Sequence, residues 1–111
     1  MRIDEKELAI LKGKHKGLHL VTFNDENTEG YDADYPSADF VFKKLSFDVL
    51  AATAATANDK PIQAIKAQMQ STLVFGDERI LFDKDDITVL TSVMSEYTKI
   101  NKNRVSELKK I

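Results

Sequence analysis

Two short stretches of this chain have the composition of β-strands, and they constrain the fold more than any other feature. The first, "GLHLVTFND", places Leu18 and Leu20 on one face and Val21 and Phe23 on the other. The second, "ADFVFKKL", points Phe40 and Phe42 to one face. Two strands of this length predict an antiparallel hairpin. Because an isolated hairpin is marginal in water, its apolar face has to be covered by helices from the rest of the chain.

The connection between these two strands is acidic. Residues 24–42 carry six carboxylates and no Lys or Arg. Asp25, Asn27, Glu29 and Gly30 match the first, third, fifth and sixth places of a calcium-binding loop, but Pro36 stands at the twelfth place, which needs a bidentate glutamate. We therefore expect a solvated connection, with weak incidental cation binding as the alternative.

Helix signals lie on both sides of the hairpin. Ser46 is placed to cap a helix that runs to about Ala57, and Asp59 and Pro61 are placed to open the next one. The later stretch "RILFD" fits either a third strand or a buried loop. We predict an α+β fold in which the hairpin packs on three to four helices. It forms one domain over residues 1–111, with a short helix at 1–14, the hairpin and its acidic connection at 15–45, and a helical part at 46–111.

The last helix is the clearest element of the sequence. Aspartates precede it, and its stripe recurs at spacings of three and four residues: Ile87, Leu90, Met94, Tyr97, Asn101, Arg104, Leu108 and Ile111. The first half has the pattern of a core helix. The second half places Asn101 and Arg104 in the stripe, which is typical either of a solvated helix end or of one that binds a partner or a second copy.

The helix after Ser46 carries almost only alanine and threonine from residue 51 to residue 57. Small side chains allow a second helix to approach closely. We expect that neighbour to be the last helix, through Met94 and Tyr97, and the alternative is a shallow groove for a helix of another protein.

The predicted core combines the inward positions of the hairpin and of the helices. Its members are Leu20, Phe23, Phe40, Phe42, Phe47, Leu50, Ile62, Ile65, Met69, Leu73, Ile87, Leu90, Met94 and Tyr97.

Composition excludes several classes of function. The chain has no cysteine, so disulfides, thiolate metal sites and cysteine nucleophiles are excluded. Its net charge of −2 argues against nucleic acid as the main partner, and its interrupted apolar stretches predict neither a signal peptide nor a membrane span, so we expect a cytoplasmic protein. His15 and His19 fall on predicted extended chain rather than on one helix face, and we expect no metal, cofactor or catalytic site.

The order of these patterns resembles a known family. The strand "GLHLVTFND", the strand-to-helix junction "DFVFKKLSFDVLAA", the helix "DKPIQAIKAQMQSTLVFGD" and the basic end "KINKNRVSELKKI" are together similar to small tail assembly chaperones of long-tailed phages and prophages. This resemblance implies a non-enzymatic protein that coats the helices of a tape-measure protein during tail assembly in the host cytoplasm and is absent from the finished particle.

Other functions stay open beside this one. The chain fits a virion structural component or a small inhibitor of a host protein, and an enzyme accessory or small enzyme with unrecognised residues is a further class. For every binding function, a protein partner or a second copy is expected on two surfaces, the Ala/Thr face and the last helix. The candidate residues are Ala51, Ala54, Ala55, Tyr97, Asn101, Arg104, Leu108 and Ile111.

Overall fold

A computed structural model describes the backbone of residues 1–109 and the side chains of residues 1–100. Over these residues the predicted α+β fold is confirmed, as a three-stranded antiparallel sheet with five helices. The elements in chain order are α1 (Glu5–Lys14), β1 (His19–Phe23), β2 (Ala38–Phe42), α2 (Phe47–Asp59), α3 (Pro61–Thr72), β3 (Leu73–Phe75), α4 (Glu78–Leu81) and α5 (Thr88–Lys109).

The predicted hairpin forms the main part of the sheet. β1 and β2 pair antiparallel with Val21 opposite Phe40 and Phe23 opposite Ala38, so these four residues share one face. The sheet order is β1-β2-β3, which places β2 in the centre. All five positions of β2 are buried, and the sheet is therefore covered on both faces at its central strand.

The third strand lies elsewhere than at the stretch "RILFD". It is formed by Leu73–Phe75, which pairs with the end of β2, whereas Ile80 lies in the short helix α4. Asp77 caps α4 by accepting a hydrogen bond from the amide of Arg79 at 2.9 Å. The local cap favours a helical turn where alternation alone indicated a strand.

Gly76 connects β3 to α4 at a point of close approach. Its φ of +135° is one that side chains rarely adopt, and a Cβ atom there would overlap the ring of Phe40 and lie 3.2 Å from the Asp39 carbonyl oxygen. The turn thus passes directly over the central strand.

One apolar cluster joins the sheet to the helices. It is made of Val21, Phe23, Ala38, Phe40, Phe42, Met69, Leu81, Val89, Val93 and Tyr97. α5 packs across β1 and against α3, so it closes this face of the sheet.

The opposite face of the hairpin is organised by the buried carboxylate of Asp39. It accepts hydrogen bonds from the Thr22 hydroxyl at 2.7 Å and from the Ile3 amide at 2.9 Å, and the Arg2 guanidinium lies 3.4 Å away. The amide of Asp39 in turn donates to the Met1 carbonyl at 2.9 Å. Residues 1–3 are therefore attached to β2 at the end that β3 does not reach.

The predicted helix caps are confirmed in part. The Ser46 side chain accepts from the Val49 amide at 3.3 Å, and Pro61 opens α3. The prediction for Asp59 was wrong: it is the last residue of α2, and Lys60 stands at the N-cap of α3 with no side-chain hydrogen bond. The two helices share a single connecting residue, which leaves no room for a separate cap.

The predicted core was right for most of the sheet and wrong at Leu20 of β1 and at several positions in and beside the helices. Phe23, Phe40, Phe42, Met69 and Tyr97 are buried, and Ile65, Leu73, Leu90 and Met94 pack against the cluster from half-buried positions. Five members are exposed instead: Leu20, Phe47, Leu50, Ile62 and Ile87. Helical spacing marks an apolar face, but it does not show whether another element covers that face.

Phe42→Ala tests the sheet-to-helix core. Phe42 is 1% exposed, so we expect the free energy of unfolding to fall by about 3 to 5 kcal/mol through lost burial and a residual cavity. Urea denaturation followed by circular dichroism measures the change. Phe47→Ala is the matched control, because Phe47 is 79% exposed and its truncation should cost less than about 0.5 kcal/mol. Equal losses in both variants would contradict the assignment of Phe42 to the core.

Asp39→Ala tests the attachment of the N-terminal residues. The substitution leaves the Thr22 hydroxyl and the Ile3 amide without their acceptor, so we expect a loss of about 1 to 3 kcal/mol in the same urea measurement. Asp34→Ala, at an exposed carboxylate in the acidic connection, should leave stability nearly unchanged. A neutral Asp39→Ala variant would show that this carboxylate contributes little.

Candidate functional site

A groove of about 630 Å³ runs between α3 and the first half of α5. α3 contributes Ile62 and Ile65, and α5 with the residue before it contributes Ile87, Leu90 and Met94. Pro61 opens α3, where its fixed φ suits the first helical position, and Ile62 follows it. We call this surface the α3–α5 groove.

The rim of the α3–α5 groove is unusually exposed for large aliphatic residues. Ile62 is 68% exposed and Ile87 is 56% exposed, while Ile65, Leu90 and Met94 form a half-buried floor. Scattered apolar residues are normal on a protein surface, but a rim and a floor of this kind form one contiguous apolar patch. Such a patch is typical of a surface that another molecule covers.

Most of the polar groups along the α3–α5 groove are used within α5. The Thr91 hydroxyl donates to the Thr88 carbonyl at 3.1 Å, and the Thr98 hydroxyl donates to the Met94 carbonyl at 2.9 Å. Among the described lining residues Lys99 alone is charged, and its ammonium lies 3.2 Å from the Glu96 carboxylate. The groove therefore offers an apolar wall with few free hydrogen-bonding groups.

The groove exists because α5 carries two apolar stripes rather than one. Val89, Val93 and Tyr97 recur every four residues and are buried against the sheet, whereas Leu90 and Met94 face α3. The predicted stripe combined members of both sets. Spacing of three and four residues alone does not separate two adjacent stripes on one helix.

Tyr97 belongs to the core and not to a partner-binding surface. Its ring meets the Phe42 ring edge-on with 4.9 Å between centroids, and its hydroxyl lies 3.0 Å from the Thr72 hydroxyl in a buried hydrogen bond. The side chain is 4% exposed, so the folded domain does not present it to a partner.

The Ala/Thr face of α2 is exposed at Ala51, Ala54 and Ala55. The prediction that the last helix covers it was wrong, because α2 packs mainly against α3. The contact is made by Thr53, whose buried hydroxyl accepts a hydrogen bond from the Gln68 amide nitrogen at 2.9 Å. A one-residue connection makes α2 and α3 neighbours before any other helix can compete.

The four remaining candidate residues lie beyond the described side chains. They are Asn101, Arg104, Leu108 and Ile111. The backbone of α5 continues as helix to Lys109, and the lining of the α3–α5 groove reaches Lys99 among the described side chains.

The acidic connection is held in shape by Asn24, which sequence analysis did not identify. Its side-chain amide donates to the carbonyls of Asp32 and Tyr35 at 2.7 and 2.8 Å, and its side-chain oxygen accepts from the Asp32 amide at 2.8 Å. Asn24 also adopts a positive φ of 53°, a conformation that Asn tolerates better than most residues. The connection is thus a bonded loop rather than free chain.

A second cavity, of about 400 Å³, lies between this loop, β1 and α5. The Tyr35 hydroxyl is 3.3 Å from both the Asp86 carboxylate and the Thr88 hydroxyl. Hydrogen bonds from the side chain and the amide of Thr88 hold the pKa of Asp86 below its usual range. These groups fasten the loop to the start of α5.

The described residues contain no group of three or more His, Asp or Glu side chains arranged to hold a metal ion. His15 stands at the C-cap of α1 and His19 opens β1, so the two lie on different elements, on extended backbone as predicted. No described helix combines the length and the apolar character that crossing a bilayer requires.

Tyr97→Phe tests the structural role of Tyr97. Removing the hydroxyl leaves the ring contact with Phe42 in place and deletes the hydrogen bond to Thr72, so we expect a loss of about 0.5 to 1.5 kcal/mol in urea denaturation. Adding Thr72→Val to this variant should cost less than it does in the unmodified protein, because the two hydroxyls satisfy each other. Strictly additive losses would contradict the pairing.

Comparison with protein-family models, with curated proteins and with solved structures finds no match to this chain. The resemblance to tail assembly chaperones therefore stays a prediction. The case for a function depends on the surface that the fold leaves open, the α3–α5 groove.

Proposed function

We propose that this chain is a non-enzymatic binding protein that holds an amphipathic helix of a larger protein in the α3–α5 groove. The observation that carries the proposal is the exposed apolar rim of Ile62 and Ile87 above a half-buried aliphatic floor. An apolar channel between two helices accepts a third helix, which inserts side chains spaced three and four residues apart.

The energetics favour an apolar partner over a polar one. Covering a large aliphatic side chain contributes about 1.5 to 3 kcal/mol, so Ile62 and Ile87 are suited to be the main anchors of the complex. Part of this gain offsets the ordering of the two molecules, which leaves a moderate affinity. Moderate affinity for apolar helices is what a reversible chaperone requires.

Within this class we propose a chaperone that acts in phage tail assembly, with the tape-measure protein as partner and the host cytoplasm as the place of action. The resemblance of the strand-to-helix junction and of the basic C-terminal end supports this choice. The open groove supports it as well, because coating an apolar helix before assembly needs an apolar surface that later releases its occupant. A virion structural component would use the same surface and stay bound.

Photo-crosslinking from the rim of the α3–α5 groove tests the binding function. A benzophenone amino acid is introduced in place of Ile62 or Ile87 in cells that produce the chain naturally. From both positions it should crosslink to apolar helical segments of one and the same partner protein. The control places the same group at Ile10 on α1, which is 57% exposed and does not line the groove. Equal crosslinking from Ile10, or none from the two rim positions, would contradict the proposal.

The fate of the complex separates the chaperone from a structural component. We expect the crosslinked partner to be the tape-measure protein and this chain to be missing from purified particles, as measured by quantitative mass spectrometry. Presence at a fixed stoichiometry in the particles would instead identify a structural component. With the partner in hand, Ile62→Asp should weaken its binding by more than about tenfold, since an unpaired carboxylate would enter the apolar contact.

A further inference from the structure

The groove-facing stripe of α5 continues past the groove in the sequence. Ile87, Leu90 and Met94 line the groove, and the same spacing of three and four residues leads on to Val105 and Leu108. Because α5 is helical through Lys109, these later positions fall near the same side of one rod of 22 residues, about 33 Å long. One helix thus carries an open groove at its start and an apolar stripe at its end.

The residues just before α5 and the residues at its end have opposite charge. Asp83, Asp85 and Asp86 precede the helix, whereas its last residues from 102 onward contain four bases and one acid. An antiparallel pair of such helices brings the basic end of each copy beside the acidic start of the other. A parallel pair would place like charges together.

We infer that, in the absence of another partner, the α3–α5 groove is occupied by residues 101–111 of a second copy of this chain. The two α5 helices run antiparallel about a two-fold axis, with Leu108 of the second copy against Ile87 and Val105 of the second copy against Leu90. At the same register the end of α5 of the second copy, at Lys109, lies near Asp85 and Asp86.

The same chain does not supply this occupant. The end of α5 continues the rod that lines the groove, and an unbroken helix to Lys109 has no turn that would bring Leu108 back to Ile87. A two-fold arrangement instead fills both grooves at once and leaves no open end for further copies. The outcome is a closed dimer.

The dimer has a consequence for the proposed helix-binding function. Both occupants compete for one groove, so a partner helix has to displace the second copy before it binds. This consequence depends on the proposed function, whereas the dimer itself does not, and measurements on the purified chain alone separate the two.

Cysteine crosslinking tests the antiparallel register, since the chain has no cysteine of its own. Ile87→Cys and Leu108→Cys are prepared separately, with tags of different size, and oxidised alone or after mixing. We expect a disulfide dimer in the mixture that contains both tags and little product from either variant alone. Product from a single variant alone would overturn the antiparallel arrangement, and no product in any sample would overturn the pairing.

Truncation and a point variant test the same contact without sulfur chemistry. Removing residues 101–111 should lower the helical circular dichroism only by the residues removed, leave the domain folded and abolish the dimer in sedimentation. Leu108→Asp should raise the dimer dissociation constant at least about tenfold. Ile10→Asp is the control, since Ile10 is exposed but does not line the groove. Unchanged association in both altered chains, or an equal loss of association in the Ile10→Asp control, would overturn the inference.

Charge reversal gives a rescue that a merely structural role would not produce. Lys109→Asp should weaken the dimer, and adding Asp85→Lys should restore it, because the opposed charges are exchanged across the interface. Asp85 is chosen because Asp86 also holds the amide of Thr88 at the start of α5. Failure of the second substitution to restore association would contradict the proposed register.

Discussion

Burial of β2 on both faces is the constraint on which the rest of this structure depends. A central strand with Phe40 and Phe42 on one side and Asp39 and Val41 on the other is stable only if two separate layers cover it. α5 and α3 supply one layer. On the other side, the buried carboxylate of Asp39 binds the Ile3 amide and the Arg2 guanidinium. These polar contacts fix the position of residues 1–3 against the strand, which apolar packing alone would not do.

The first layer also creates the candidate binding surface. One apolar stripe of α5 packs on the sheet: Val89, Val93 and Tyr97. This packing fixes the direction of the neighbouring stripe, Leu90 and Met94, which lines the groove. α3 is held beside it by the hydrogen bond between Thr72 and Tyr97. The groove is therefore built on the core, and its shape should be as rigid as the contact between these two helices.

Much of the secondary structure could be predicted from local signals, because strands, caps and proline positions depend on neighbours in the sequence. The hairpin, the Ser46 cap and the Pro61 helix start are of this kind. The site was less predictable. Apolar residues at helical spacing look alike whether they fill a core or line a groove. Ile62 and Ile87 were assigned to the core and are exposed, and Tyr97, which was assigned both to the core and to a partner-binding surface, is buried.

The sequence by itself determined an α+β chain with a hairpin, a long final helix and opposite charges at the two ends of that helix, since periodicity and composition are local properties. Only the tertiary structure decided which apolar faces are covered. The single residue between α2 and α3 makes these helices neighbours, so α5 packs on the sheet and α3 instead of on the alanines of α2, and Ile62 and Ile87 are left at the surface. Whether an apolar face is buried depends on which other element packs against it, and the sequence of one helix or strand alone does not specify its neighbour.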